Sequence, residues 1–178
     1  MKQSLLVQVN ALDEPIGLIE KQEAHIQGVL HRAFSIFIFR KKGPSTQLLL
    51  QKRAHAKYHS GGLWTNTCCS HAEPNVPIEE TANKRLLEEM GFSCPLHSVG
   101  SFHYKAQVNT LLTEHEIDHV FMALHDPAAI LPSPEEASEC RWMDITDIQK
   151  RMDQEPHTLT VWFPQAFHLA LKGLHVSR

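Results

Sequence analysis

Phe34-Ser35-Ile36-Phe37-Ile38-Phe39 is a nearly unbroken apolar run of β-favouring residues, and it reads as a strand buried on both faces. The turn sequence Lys41-Lys42-Gly43-Pro44-Ser45 follows, and Gln47 to Arg53 returns as a second strand, so the two make a hairpin. A strand without a solvent face needs a layer above it and another below. Upstream, Leu5 to Asn10 and Ile16 to Glu20 read as short strands around Asp13-Glu14-Pro15, before a short polar helix from Lys21 to Gln27. Downstream, the basic loop Lys52 to Gly62 leads to Trp64. Pro77 sits at a first-turn position, a helix runs from Ile78 to Met90, and Gly91 stops it. Ile78, Ala82, Leu86 and Met90 recur at i+4 and form its core stripe. Phe102 to Val108, Glu116 to Leu124 and Cys140 to Met143 read as strands, and Val161 to Leu171 as an amphipathic helix. The fold class that follows is α/β (α+β), a mixed β-sheet flanked by helices. Residues 1–178 form a single domain that the N-terminal strands and the C-terminal helix complete.

Composition fits one ordinary core. Of the 178 residues 42% are apolar and 21% charged, so disorder is not the default. A formal charge of -3 argues against a nucleic-acid partner, which needs a basic face. The first residues carry too short an apolar run for a secretory core, and nothing approaches the roughly 18 apolar residues of a membrane span. Of the four cysteines, Cys68 and Cys69 are adjacent, which does not suit a disulfide framework; a reducing cytoplasm is the expected setting.

Chemistry concentrates in two places. In Glu114-His115-Glu116-Ile117-Asp118-His119, strand alternation puts Glu114 and Glu116 side by side on one face. Two such carboxylates repel unless a metal lies between them or one keeps a proton; the plainer reading is a solvated strand edge. In Thr65-Asn66-Thr67-Cys68-Cys69-Ser70-His71, Cys69 and His71 are also two apart, in what reads as a polar turn. A lone cysteine is more often a small buried hydrophobe, but this one has an imidazole nearby. With His25 and His31, these residues could give a mixed nitrogen and oxygen set suited to a divalent first-row ion. No CxxC pair points to a zinc ribbon. In the helix Arg85 and Glu89, like Lys84 and Glu88, are spaced for surface ion pairs. Arg53, Lys57 and Arg85 are either solubilising charges or binders of a small anion.

Together these residues resemble the type 1 isopentenyl diphosphate isomerase family of the Nudix superfamily over roughly Leu5 to Leu171. The resemblance is carried by Leu30-His31-Arg32-Ala33-Phe34-Ser35, Trp64-Thr65-Asn66-Thr67-Cys68-Cys69-Ser70-His71, Arg85 to Gly91, Phe102-His103-Tyr104 and Glu114-His115-Glu116. The second string is the specific one. The Nudix hydrolase box is eroded: Glu88-Glu89-Met90-Gly91-Phe92 keeps its end, while Lys84, Arg85 and Val76 stand where its other signature residues belong. The chain also has Ala72 where the family has proline, and a short spacing from His25 to His31.

The resemblance implies conversion of isopentenyl diphosphate to dimethylallyl diphosphate, a small-molecule reaction of isoprenoid biosynthesis, by a monomer with no nucleic-acid or membrane partner. The alternatives are a Nudix diphosphohydrolase and a non-catalytic metal-binding module. Residue by residue, it implies that His25, His31, His71, Glu114 and Glu116 hold one divalent metal (Mn, Zn or Mg). Glu89 binds a second ion, Mg²⁺, that arrives with the substrate diphosphate. Cys69 and Glu116 form the acid/base pair, with Tyr104 near Glu116. Lys21, Arg53, Lys57 and Arg85 neutralise the diphosphate, and Trp162 and Trp64 line the pocket for the tail. An indole face stabilises a desolvated cation by about 2 kcal/mol. A nearby metal centre is expected to favour the Cys69 thiolate.

Overall fold

The computed structural model describes residues 4–176. Its centre is β3 (His31–Lys42), which lies parallel to β8 (Thr113–Leu124) in a register running from His31 opposite Glu116 to Phe39 opposite Leu124. β3 then turns through Gly43-Pro44 into the antiparallel β4 (Ser45–Arg53). The strand is longer than its apolar run because polar residues at both ends complete ladders: His31 and Arg32 against β8, Arg40 to Lys42 against β4. Side chains alternate across β3. Phe37 and Phe39 pack with Phe163, Ala166, Phe167 and Ala170 of the C-terminal helix α4 (Phe163–Val176). Phe34, Ile36 and Ile38 pack with Ala82, Leu86 and Met90 of α2 (Ile78–Met90). The expected two covering layers are therefore both present.

The remaining strands extend this sheet. β1 (Leu5–Val9) and β2 (Pro15–Glu20) form a hairpin that reaches β3 at Gln8 opposite His31. β7 (His97–Gln107) pairs antiparallel with β8, and β9 (Ala137–Asp144) with β4. Helix α1 (Lys21–Gln27) is capped by the Glu20 carboxylate, which accepts from the amides of Gln22 and Glu23 at 2.8 and 3.0 Å. α2 has the bounds its pattern predicts, with Gly91 in the left-handed region (φ 77°) at its end; Pro77 is its N-cap rather than its first helical residue. Among the described residues, no helix is long and apolar enough to cross a membrane.

Several elements differ from expectation. β7 starts at His97 rather than Phe102, because an irregularity between Ser98 and Gly100 masks its early alternation. α3 (Ile145–Gln154) was not expected, although Ile145, Ile148 and Met152 recur at helical spacing and pack on the core. The segment around Cys69 is not a turn but two short strands, β5 (Trp64–Thr65) against β4 and β6 (Cys68–His71) against β3.

The reason for that last difference is a split in the sheet. The β3–β4 ladder stops at Phe39 opposite Leu48, and beyond it the two strands diverge. Asn66 and Thr67 fill the wedge. Thr67 Oγ1 donates to the Leu49 carbonyl at 2.6 Å and accepts from the Ile38 amide at 3.0 Å. Asn66 Nδ2 donates to the carbonyls of Cys68 (2.6 Å) and Ile36 (3.3 Å). Buried polar groups of this kind are costly to strand, at about 1–3 kcal/mol each. Replacing Thr67 by Val, of similar shape, is therefore expected to lower unfolding free energy by about 2–4 kcal/mol. Denaturant unfolding at unchanged slope measures it; a loss below about 0.5 kcal/mol would contradict the bridging role.

Candidate active site

The polar site continues one face of the core. Along β3 the row Phe39, Phe37 runs on as Ser35, Ala33 and His31; along β8 the row Met122, Val120 runs on as Asp118, Glu116 and Glu114. Register then builds a grid. His31 neighbours Glu116, and Glu116 neighbours Tyr104 on β7. Ala33 lies between His71 and Asp118, and Ser35 beside Cys69. The small side chain of Ala33 leaves a hollow at the middle, and a cavity of about 290 Å³ opens over it. Cys68 points to the other face, packs with α2 and is a bystander to the cavity.

At one end of the cavity His25, His31, His71, Glu114 and Glu116 bring ligand atoms within 4.8 Å of one another. The imidazoles are oriented from behind. His25 Nδ1 meets the Lys21 carbonyl one helical turn back at 2.6 Å, and His31 Nδ1 meets the Val29 carbonyl at 2.8 Å. Both Nδ1 atoms therefore donate, which leaves Nε2 lone pairs facing inward. There they meet carboxylate oxygens: His25 to Glu114 at 3.3 Å, and His31 and His71 to Glu116 at 3.3 and 3.1 Å. Bare acceptors facing one another repel, so a shared proton or a cation must lie between these nitrogens and oxygens. Consistent with that, His31 Nε2 and Glu114 Oε2 are buried without any hydrogen-bond partner. This donor set fits a divalent ion, and nitrogen with oxygen suits Mn or Zn as well as Mg.

Burial shapes the charge states. It pushes the His71 imidazole down to about 4, against the pull of Glu116, so that ring is neutral and free to ligate. Burial works against charge on Glu114, but His25 and His59 hold its carboxyl well below the usual range. Glu116 is likewise held low by His31 and His71, against burial and the charge of Glu114. Burial and the charge of Glu116 push the Asp118 carboxyl well above its ordinary value, and it accepts from Ser35 Oγ at 2.8 Å. Tyr104, also pushed up by burial and Glu116, keeps its proton and donates to Glu116 Oε2 at 2.6 Å.

Cys69 lines the same cavity from β6, across β3 from Glu116 and two rows along; two strand spacings alone are roughly 10 Å. Burial pushes its thiol up to about 12, with the Arg53 guanidinium, 3.6 Å from Sγ, pulling the other way. Among the protein's own groups desolvation outweighs Arg53 and favours the thiol, whereas the thiolate expectation rested on a bound metal.

The other end of the cavity is lined by Lys21, Arg53, Lys57 and Arg85, with Glu89 and Glu136 among them. Arg85 donates to Glu89 at 2.6 Å, Glu88 at 2.8 Å and Glu136 at 3.0 Å, and Lys57 pairs with Glu136. Burial raises the Glu89 carboxyl, with Arg85 opposing. Lys84 pairs with Glu73 at 2.7 Å instead of Glu88, on the surface and outside the site. Trp162 lines the cavity and donates from Nε1 to Asn66 Oδ1 at 3.3 Å. Trp64 does not line it. Its ring is in the core beside Phe163 and Leu159, with Lys52 and Arg141 over it at 5.9 and 4.9 Å, so the tail-pocket expectation for Trp64 is wrong.

The structure adds two side chains that no motif flagged. His59 Nε2 bonds Glu114 Oε1 at 2.8 Å, and Tyr58 Oη meets His25 Nε2 at 2.9 Å. Both come from the basic loop after β4, whose one legible signal is its histidine beside a tyrosine.

Comparisons with known proteins agree with this geometry. Residues 29–163 match the NUDIX domain model. An isopentenyl-diphosphate Delta-isomerase 2 of Photorhabdus laumondii is 46% identical over 159 residues, 89% of this chain and 88% of the relative. An isopentenyl-diphosphate Delta-isomerase of Serratia proteamaculans is 47% identical over 159 residues, 89% of this chain and 87% of that one. Among solved structures, the MutT protein of Methanosarcina mazei Go1 superposes with a TM-score of 0.64 at 19% identity, covering 81% of this chain and 94% of its own, a likeness of fold.

Proposed function

The chain belongs to the isopentenyl-diphosphate Delta-isomerase family of NUDIX-domain proteins, and from that membership we propose how its own residues carry the reaction. The enzyme isomerises isopentenyl diphosphate to dimethylallyl diphosphate in isoprenoid biosynthesis. The double bond moves when a proton is added at C4 and another is removed at C2, through a tertiary cation. An alkene is a weak base, so the proton donor must already be in place; such positioning contributes on the order of 10² to 10⁴-fold.

Cys69 and Glu116 are the acid/base pair. What supports this is their placement in one cavity, on strands either side of β3, each with a partner of its own, Arg53 for Cys69 and Tyr104 for Glu116. A flat alkene lying between them is reached from both faces without turning over. Tyr104 holds Glu116 Oε2, leaving Oε1 with His31 and His71. Trp162 presents its indole to the cavity, where a face of that kind stabilises a transient carbocation. Lys21, Arg53, Lys57 and Arg85 take the diphosphate, fixing the tail between Cys69 and Glu116. His25, His31, His71, Glu114 and Glu116 would hold a divalent ion, Mn, Zn or Mg, and Glu89 an Mg²⁺ that enters with the diphosphate. The ion, when bound, supplies a fixed positive charge that keeps the paired carboxylates ionised. All of these groups come from one chain, and with four free thiols this reading gives a cytoplasmic monomer.

The observation that carries the reading is the five-donor cluster in the cavity that Cys69 also lines. Stripping the protein with a chelator is expected to abolish conversion, and Mn²⁺ or Zn²⁺ together with Mg²⁺ to restore it. Full turnover of the stripped protein would refute the metal assignment. Release of nucleoside monophosphate from a nucleotide panel would favour the diphosphohydrolase.

A further inference from the structure

Among the cavity's carboxylates without a role in proton transfer or ion binding, Glu136 is the one set between two of the diphosphate cations. Glu136 immediately precedes β9, and its two oxygens take two different cations: Oε1 accepts from Arg85 Nη2 at 3.0 Å and Oε2 from Lys57 Nζ. Its backbone is tied as well. The Glu136 carbonyl accepts from the Ala54 amide at 2.9 Å, next to Arg53. Its own amide donates to the Ser133 carbonyl at 3.0 Å, and the Ser133 amide donates to the Glu89 carbonyl at 2.8 Å. The segment thus joins the end of α2, which carries Arg85 and Glu89, to the loop after β4, which carries Lys57.

We propose that Glu136 is a positioning residue of the diphosphate subsite, a single carboxylate that sets Lys57 and Arg85 at a fixed separation before substrate arrives. The assignment rests on the reading that this cavity takes a diphosphate. A carboxylate beside a diphosphate is at first sight a cost, since like charges repel. Two features decide for positioning. Among the described residues, Glu136 is the sole ion-pair partner of Lys57, whereas Arg85 keeps Glu88 and Glu89. Without Glu136 the long Lys57 stem would have to be ordered by the ligand itself, which weakens binding. Burial also works against charge on Glu136, and Lys57 and Arg85 overcome it, so the group stays ionised and the link persists at neutral pH.

The test uses the Mg²⁺-loaded full chain and inorganic pyrophosphate as probe. Glu136→Gln and Glu136→Ala are expected to weaken pyrophosphate binding, measured by calorimetry, and to raise KM by about tenfold. Values of kcat stay within about threefold, because the groups that move protons are untouched. In a Lys57→Ala background, Glu136→Ala should add little, since the tether it removes is already gone. Unchanged or tighter pyrophosphate binding in both variants would overturn the proposal and mark Glu136 as a competitor for the cations. Full additivity with Lys57→Ala would overturn it too. Unaltered chain that binds pyrophosphate but turns over no isopentenyl diphosphate would count against the isomerase assignment alone, because the binding comparison does not depend on turnover.

Discussion

Cys69→Ala is expected to lower kcat by about 10² to 10⁴-fold, the range that one positioned acid or base supplies, while KM changes little. The substitution removes a single sulfur from a side chain that is only partly buried, so the fold should tolerate it. Cys69 lies in β6, held by backbone pairing to β3 at Ser35, and its Sγ touches the Arg53 guanidinium rather than filling the core. Arg53 keeps its other bond, from Nη2 to the His59 carbonyl at 3.3 Å, and its place over Trp162, so the diphosphate end should remain formed. Cys68→Ala is the matched control on the opposite face. That side chain is fully buried against α2, so its loss is expected to cost stability and spare chemistry, the reverse pattern. Following conversion of isopentenyl diphosphate alongside thermal unfolding separates the two. Turnover within a few-fold of normal in Cys69→Ala would remove the thiol from the mechanism.

The parts of this molecule that were legible in its sequence are those where one physical demand dominates a segment. β3 shows itself because both faces are dry, and α2 because Ile78, Ala82, Leu86 and Met90 must meet the sheet every turn. Glu114 and Glu116 were placed together by alternation alone, and the structure puts them on one face with Asp118. His25, expected on a short spacing, reaches the cluster because α1 ends in Gly28 at φ 63° and returns the chain directly to β3. What escaped is what polarity disguises. Thr65-Asn66-Thr67 reads as a turn, yet the Asn66 amide and the Thr67 hydroxyl serve backbone groups inside the split sheet, and the Thr65 hydroxyl meets that of Thr160. Trp64 shares a motif with Cys69 but not a direction, since the motif spans two strands, β5 against β4 and β6 against β3. His59 and Glu136 come from loops, where no period exists to reveal what they touch.

Glu116→Gln should have the larger effect of the two substitutions, because it changes a site where three demands meet. Glu116 takes His31 and His71 on one oxygen and Tyr104 on the other, and Glu114 is its neighbour along the same face. An amide there cannot accept a proton, so the base is lost outright. Its NH₂ group must also face either the two imidazole nitrogens or the Tyr104 hydroxyl, and either choice disturbs the site. Toward the imidazoles it can bond their lone pairs but replaces the oxygen that would ligate the ion, and toward Tyr104 it opposes the O–H that Glu116 accepts. Loss of activity is therefore expected to exceed that of Cys69→Ala, beyond about 10⁴-fold, with bound metal reduced as well. Elemental analysis of the purified variant distinguishes the two contributions: full metal content with no turnover assigns the loss to proton transfer, and an emptied site assigns it to both. The two residues act on one substrate in one reaction, so the double variant with Cys69→Ala should fall little below Glu116→Gln alone. Losses that multiplied instead would mean that Cys69 and Glu116 serve separate steps without a shared intermediate, and the cavity could not then be a single two-sided acid/base site.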